Sequence, residues 1–200
     1  MFALVESGSI TKFLNGNKGI QLGDLKYPRA IYTLWTEAER NAIGIYTIVY
    51  DDTNKKDEQW FINTNQSYAF ANSTVTATYG TATAKAHADA NFTEEDEDNG
   101  LGTEGELKSR GLKYKLIQNV KLEAANELAK TDWYITRNAE KSTAIPSAIT
   151  THRDLVRSRQ AAMETSITNA SDTPALETLY TYTTDSDGVT SRPLAEIPNL

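Results

Sequence analysis

The chain contains no cysteine, which excludes disulfides, thiol nucleophiles and thiolate metal ligands. Histidine is nearly as scarce: His87 and His152 are the only two, so a site built on clustered imidazoles is close to excluded as well. No apolar run approaches the roughly 20 residues that a membrane-spanning helix needs. The opening Met1-Phe2-Ala3-Leu4-Val5-Glu6 has no basic region, and a glutamate ends its apolar stretch, which predicts no secretory leader. The glycines form no phosphate-binding loop, and neither a G-x-S-x-G elbow nor an H-E-x-x-H pair is present. Enzymes resting on Cys or His chemistry are therefore disfavoured from the start.

What is present fits an α+β protein of two modules. Two hundred residues at 39% apolar and 24% charged suffice for one large domain or two small ones. The net charge of −7 is concentrated. Residues 1–88 carry eight acidic and eight basic side chains, and residues 107–200 carry eleven against twelve. Between them, residues 89–106 hold Asp89, Glu94, Glu95, Asp96, Glu97, Asp98, Glu104 and Glu106 and no base. A self-repelling run of this kind, with Gly100 and Gly102 in it, predicts an exposed acidic linker with little regular structure. The flanking modules lack the basic excess of a nucleic-acid groove, so neither nucleic acid nor membrane is an expected partner.

The first module, 1–88, reads as mostly β. Residues 2–14 predict a hairpin turning at Ser7-Gly8-Ser9. Thr36 with Glu39 predicts a capping box opening a short helix over 37–43, and Gly44 closes it. Ile45 to Tyr50 is strand-like, and its pairing with Gln59-Trp60-Phe61-Ile62 through a long polar loop is the expected hairpin. Residues 68–70 and 74–79 add short strands. In the second module, 107–200, the stripe Leu112, Leu116, Ile117, Val120, Ala124 and Leu128 predicts a helix over about 108–129. Ile149, Val156, Met163 and Ile167 mark a second helix after Pro146. The two should pack as an antiparallel pair, with Trp133 and Tyr134 in the connection. Thr173 before Pro174 predicts the cap of a third helix. A last hairpin through Asp187-Gly188 and a Pro193/Pro198 extended tail complete the chain.

The candidate chemistry is sparse. Asp96 and Asp98 begin like a calcium loop, but Gly100 and Leu101 stand where a ligand and the required glycine belong. Asp51 and Glu58 are one of many carboxylate pairs available to a glycosidase, and exposed loop charges are the simpler reading. His152, at the start of the second long helix, reads as a surface or interface residue. Arg153, Arg157 and Arg159 suit an anionic partner or ion pairs within the protein, Asp154 with Arg157 among them. No catalytic, cofactor-binding or metal-ligating residue is predicted. Trp35 and Trp60 read as core anchors. Trp133, beside the polar Lys130-Thr131-Asp132, is equally a plug for the helical pair or an interface anchor.

Several segments resemble small tail-fibre and tail-fibre-assembly proteins of tailed bacteriophages. They are residues 1–13, Gln21 to Pro28 with the following Thr36–Gly44 helix, Leu128 to Arg137, and Thr143 to Pro146 through Arg153 and Arg157. The resemblance covers about two thirds of the chain. It implies a non-enzymatic virion component of the tail-fibre or baseplate region, made in the host bacterial cytoplasm and bound to other tail proteins or to itself. It also implies no catalytic residues and no cofactor. A fibre-assembly chaperone is the alternative, and a polysaccharide-degrading tail enzyme the second. The partner-binding candidates are Trp133, Tyr134, Arg137, Arg153 and Arg157, with the N-terminal hairpin residues Phe2, Leu4, Ile10 and Phe13, whose edge can pair with a partner strand.

Overall fold

The computed structural model describes residues 1–64 and 66–200 and shows an α+β chain in two compact units, 1–83 and 84–200.

The first unit is built on a five-stranded sheet whose strands lie side by side in the order 9–14, 2–6, 45–51, 74–79 and 66–71. Strands β1 (Phe2–Glu6) and β2 (Ser9–Leu14) form the expected hairpin. Ser7 and Gly8 both take positive φ, which gives the two-residue turn the twist of the flanking strands. A small hairpin of β3 (Ile20–Leu22) and β4 (Leu25–Tyr27) follows, then α1 (Ile31–Leu34) and α2 (Glu37–Ala42). Thr36 and Glu39 close the capping box reciprocally, and Gly44 turns the chain out of α2 at φ +80°.

The strand β5 (Ile45–Asp51) does not pair with the segment around Trp60. It lies antiparallel to β1 and parallel to β8 (Thr74–Tyr79), so both its hydrogen-bonding edges are occupied. The intervening polar residues instead fold locally, with Asp51 and Asp57 accepting from backbone N–H groups two residues on. They lead to the two-residue strand β6 (Phe61–Ile62), where Trp60 and Phe61 are buried. Strand β7 (Gln66–Ala71) returns to β8 through Asn72 and Ser73, both at positive φ, and the two-residue β9 (Thr83–Ala84) falls at the division between the units. Ala3, Val5, Ile48, Val75 and Ala77 make the core of one sheet face, and Leu4 and Ile45 pack with Ile31 and Tyr32 on the other. The edge strands β2 and β7 approach one another, with the Phe13 and Tyr68 rings 4.5 Å apart.

The second unit opens with the acidic segment, and here the linker expectation is corrected. Residues 90–109 form a hairpin of β10 (Ala90–Asn91) and β11 (Leu107–Ser109), with the short helix α3 (Glu94–Asp98) in its connection. Thr93 and Asp96 make a second capping box, and the acidic residues of the first turn lie where the helix dipole favours them. Lys108 pairs with Asp96, and Arg110 with Asp89, which also accepts from the Gly111 amide. The neutralising cations lie just beyond the run. The segment is exposed, as expected, but it is folded.

Helices α4 (Leu112–Ala129), α5 (Asp132–Lys141), α6 (Ser147–Asn169) and α7 (Thr173–Tyr180) follow. The contacts Lys113–Thr168, Lys121–Glu164 and Glu127–His152 run in opposite sequence directions, so α4 and α6 are antiparallel. Leu116, Val120 and Ala124 are buried on α4, and Ile149, Val156, Met163 and Ile167 on α6. The cap of α7 is Asp172, which accepts from the Ala175 amide. Thr173 is instead buried and donates to the Lys85 carbonyl. The final hairpin of β12 (Thr183–Thr184) and β13 (Thr190–Ser191) forms as expected. The tail after it buries Leu194 and Ile197.

Candidate interaction surface

Helix α5 replaces the expected loop between the long helices. Asp132 in its first turn and Lys141 in its last complement the helix dipole, and Ser142 ends it in the left-handed conformation. On this helix Trp133 and Tyr134 stack with centroids 3.8 Å apart. Arg137, one turn on from Trp133, lays its guanidinium 4.7 Å from that ring and 5.5 Å from Tyr134. Trp133 is 51% exposed, so it is not a core plug. Trp60 is buried, and Trp35, between α1 and α2, is partly buried with its ring against Tyr27.

The direction of α5 is set from beneath. The buried Arg153 Nη1 donates to the Leu128 carbonyl at 2.8 Å, to Thr131 Oγ1 at 2.6 Å and to Asp132 Oδ1 at 2.9 Å. One cation on α6 thus gathers the end of α4, the turn and the start of α5. This corrects the expectation that Arg153 presents its charge to a partner: its guanidinium is engaged internally. Arg157 remains exposed and pairs with Asp154, the i, i+3 contact expected for it.

The hairpin candidates divide similarly. Leu4 is buried, and Ile10 packs against the core of the sheet. Phe2 lies against Tyr32 with Arg40 over its ring. Phe13 is half exposed. The exposed Trp133, with the half-buried Tyr134 and Arg137 against its ring, is therefore the group of sequence candidates that the fold gathers at one surface.

His152, expected at the surface or an interface, instead packs largely buried against the buried carboxylate of Glu127, near the same end of the helical pair. Glu127 Oε1 meets His152 Nε2 at 3.2 Å and accepts from the Leu200 amide, while Oε2 accepts from Lys130. The Lys130 hydrogen bond is the main influence holding the Glu127 carboxyl below the usual glutamate range, ahead of the opposing effect of burial. The signal was present: Glu127 continues the 116, 120, 124 stripe, and His152 follows Ile149 by one helical turn. With both oxygens engaged, the cluster ties the C-terminal tail to the helical pair.

No protein-family model, curated protein or solved structure matches the chain.

Proposed function

We propose that this chain is a non-enzymatic structural component of a bacteriophage tail, in the fibre or baseplate region, that attaches or organises fibre proteins through protein–protein contacts. The observation that carries the reading is the Trp133–Tyr134–Arg137 surface. An exposed tryptophan, stacked on tyrosine and flanked by arginine, has the composition found at the centres of protein interfaces. The internal clamp from Arg153 holds the helix that carries it, which lowers the ordering cost of binding. The resemblance of residues 128–137 to a segment of tail proteins concerns this same helix.

The test is co-purification of the full chain with co-expressed phage fibre and baseplate proteins, comparing native protein with Trp133→Ala and Arg137→Ala. The proposal expects a complex that the Trp133 variant weakens at least tenfold at unchanged melting temperature. Complex formation untouched by either substitution would remove this surface from the account. A complex with fibre protein that never enters finished particles would instead assign the chain as an assembly chaperone.

A further inference from the structure

The segment 192–200, after the final hairpin, has neither helix nor strand of its own, and Pro193 and Pro198 fix φ at two of its positions. It meets the helical body through few contacts. Leu194 and Ile197, three residues apart, are both buried. The Leu194 amide donates to the Leu179 carbonyl at 3.0 Å, and the Leu200 amide to Glu127 Oε1 at 2.9 Å. Arg192 lies over the Tyr180 and Tyr182 rings, and the Tyr182 hydroxyl donates to Glu196. The groups that receive the segment belong to α4, to α7 and to the residues just after α7.

The join between body and segment is slight. Residues 183–191 are all exposed and hold only the β12–β13 hairpin, with two residues to a strand. An isolated two-stranded hairpin is marginal in water, so it opens without uncovering a buried side chain. Extended, these residues span about 30 Å, enough to carry the segment to a neighbouring molecule.

The occupant of the groove is set by what departure of the segment leaves unpaired. The buried Glu127 carboxylate loses an N–H donor, and so does the Leu179 carbonyl, which disfavours an empty groove. The matching ligand is an extended chain with these two donors six residues apart and the apolar Leu194 and Ile197 in the same stretch. Its prolines reduce the ordering lost on docking. A second copy of residues 192–200 supplies all of this, and a reciprocal exchange returns to each copy every contact it gave up.

We infer that residues 192–200 are an exchangeable strap: the segment of one copy seats in the groove of a second, and the second returns its own, so the chain associates as a reciprocal dimer. The surface is distinct from Trp133 and its neighbours on α5, and its test is separate from that of the proposed function.

The experiment is analytical ultracentrifugation of the full chain from about 10 μM to about 1 mM, where a second copy begins to match the effective concentration that a short tether gives its own segment. The expected result is a reversible dimer within that range. Ile197→Asp, which keeps the segment from seating, should weaken the dimer at least tenfold, and Trp133→Ala should leave it unchanged. Excess free peptide of residues 192–200 should dissociate the native dimer by filling the groove. A native chain that stays monomeric up to about 1 mM would overturn the inference. So would a dimer undiminished by the free peptide, a measurement on the native chain that holds even where Ile197→Asp does not fold. A dimer abolished by Trp133→Ala would place the contact on α5 and overturn it as well.

Discussion

Arg153 and Arg157 lie one turn apart on α6, and their different fates are set by burial. Arg153 donates to three oxygens with 9% of its side chain exposed, whereas the Arg157–Asp154 pair has 53% and 71% of its side chains in water. Replacing Arg153 with alanine should cost about 2–3 kcal/mol, the range for hydrogen bonds to a charged group with acceptors left behind. Arg157→Ala should stay within about 0.5 kcal/mol, as exposed pairs do. Urea denaturation of both variants measures the contrast, and equal losses would contradict the clamp. Glu127 gives a pH prediction of definite sign. Its carboxyl titrates lower in the folded chain than in the unfolded one, so its contribution is fully present above the ordinary glutamate range. It is lost as pH falls through the lowered folded value. Glu127→Gln should flatten the acid limb of the stability–pH curve relative to the native chain, and an unchanged limb would show that the cluster does not couple to folding. The sequence placed both Arg153 and His152 on the right helix. Their partners Leu128, Thr131 and Glu127 lie more than 20 residues away, on or next to another element, and no local pattern reveals such contacts.

At the scale of elements, local periodicity was a reliable guide wherever one face of a helix carries the core. The 116/120/124 and 149/156/163/167 stripes became the buried faces of α4 and α6, and the Thr36/Glu39 box and Ser7-Gly8 turn formed as read. Val156→Asp should therefore cost several kcal/mol by burying an unpaired charge, with loss of helical circular dichroism. Unchanged thermal melting would contradict the packing of α6. Pairings distant in sequence were not legible. The parallel β5–β8 ladder is one, because nothing in Ile45 to Tyr50 specifies its partner over the nearer Trp60 segment. Net charge alone does not reveal the acidic hairpin, because its order depends on Thr93, whose hydroxyl and amide cap α3 with Asp96, and on Lys108 and Arg110 just outside the run. Asp96→Ala removes the capping box and the Lys108 pair together. It should speed limited proteolysis within residues 99–105 while leaving the global melting temperature nearly unchanged, since helix caps contribute about 1 kcal/mol. Equal cleavage rates would return this segment to the unfolded linker first expected.

For the whole molecule, an α+β chain of two compact units carries both of its recognisable surfaces, the aromatic–arginine surface of α5 and the groove that holds residues 192–200, in the helical unit 84–200. The α+β class and the division into a β-rich and a helical part follow from the change of hydrophobic period along the chain. The exposed surface of α5 was legible only as residue types, Trp, Tyr and Arg close in sequence, because Trp133 reads equally well as a plug until the helix places it in solvent. The central claim is that this protein is held in a phage tail by contacts of that helix. Its most direct test is quantitative mass spectrometry of purified particles, with the chain located in a cryo-EM reconstruction. The account predicts a fixed copy number in the fibre or baseplate region, with Trp133, Tyr134 and Arg137 covered by a neighbouring subunit. Absence from intact particles, or a chain in place with those three side chains facing solvent, would contradict it.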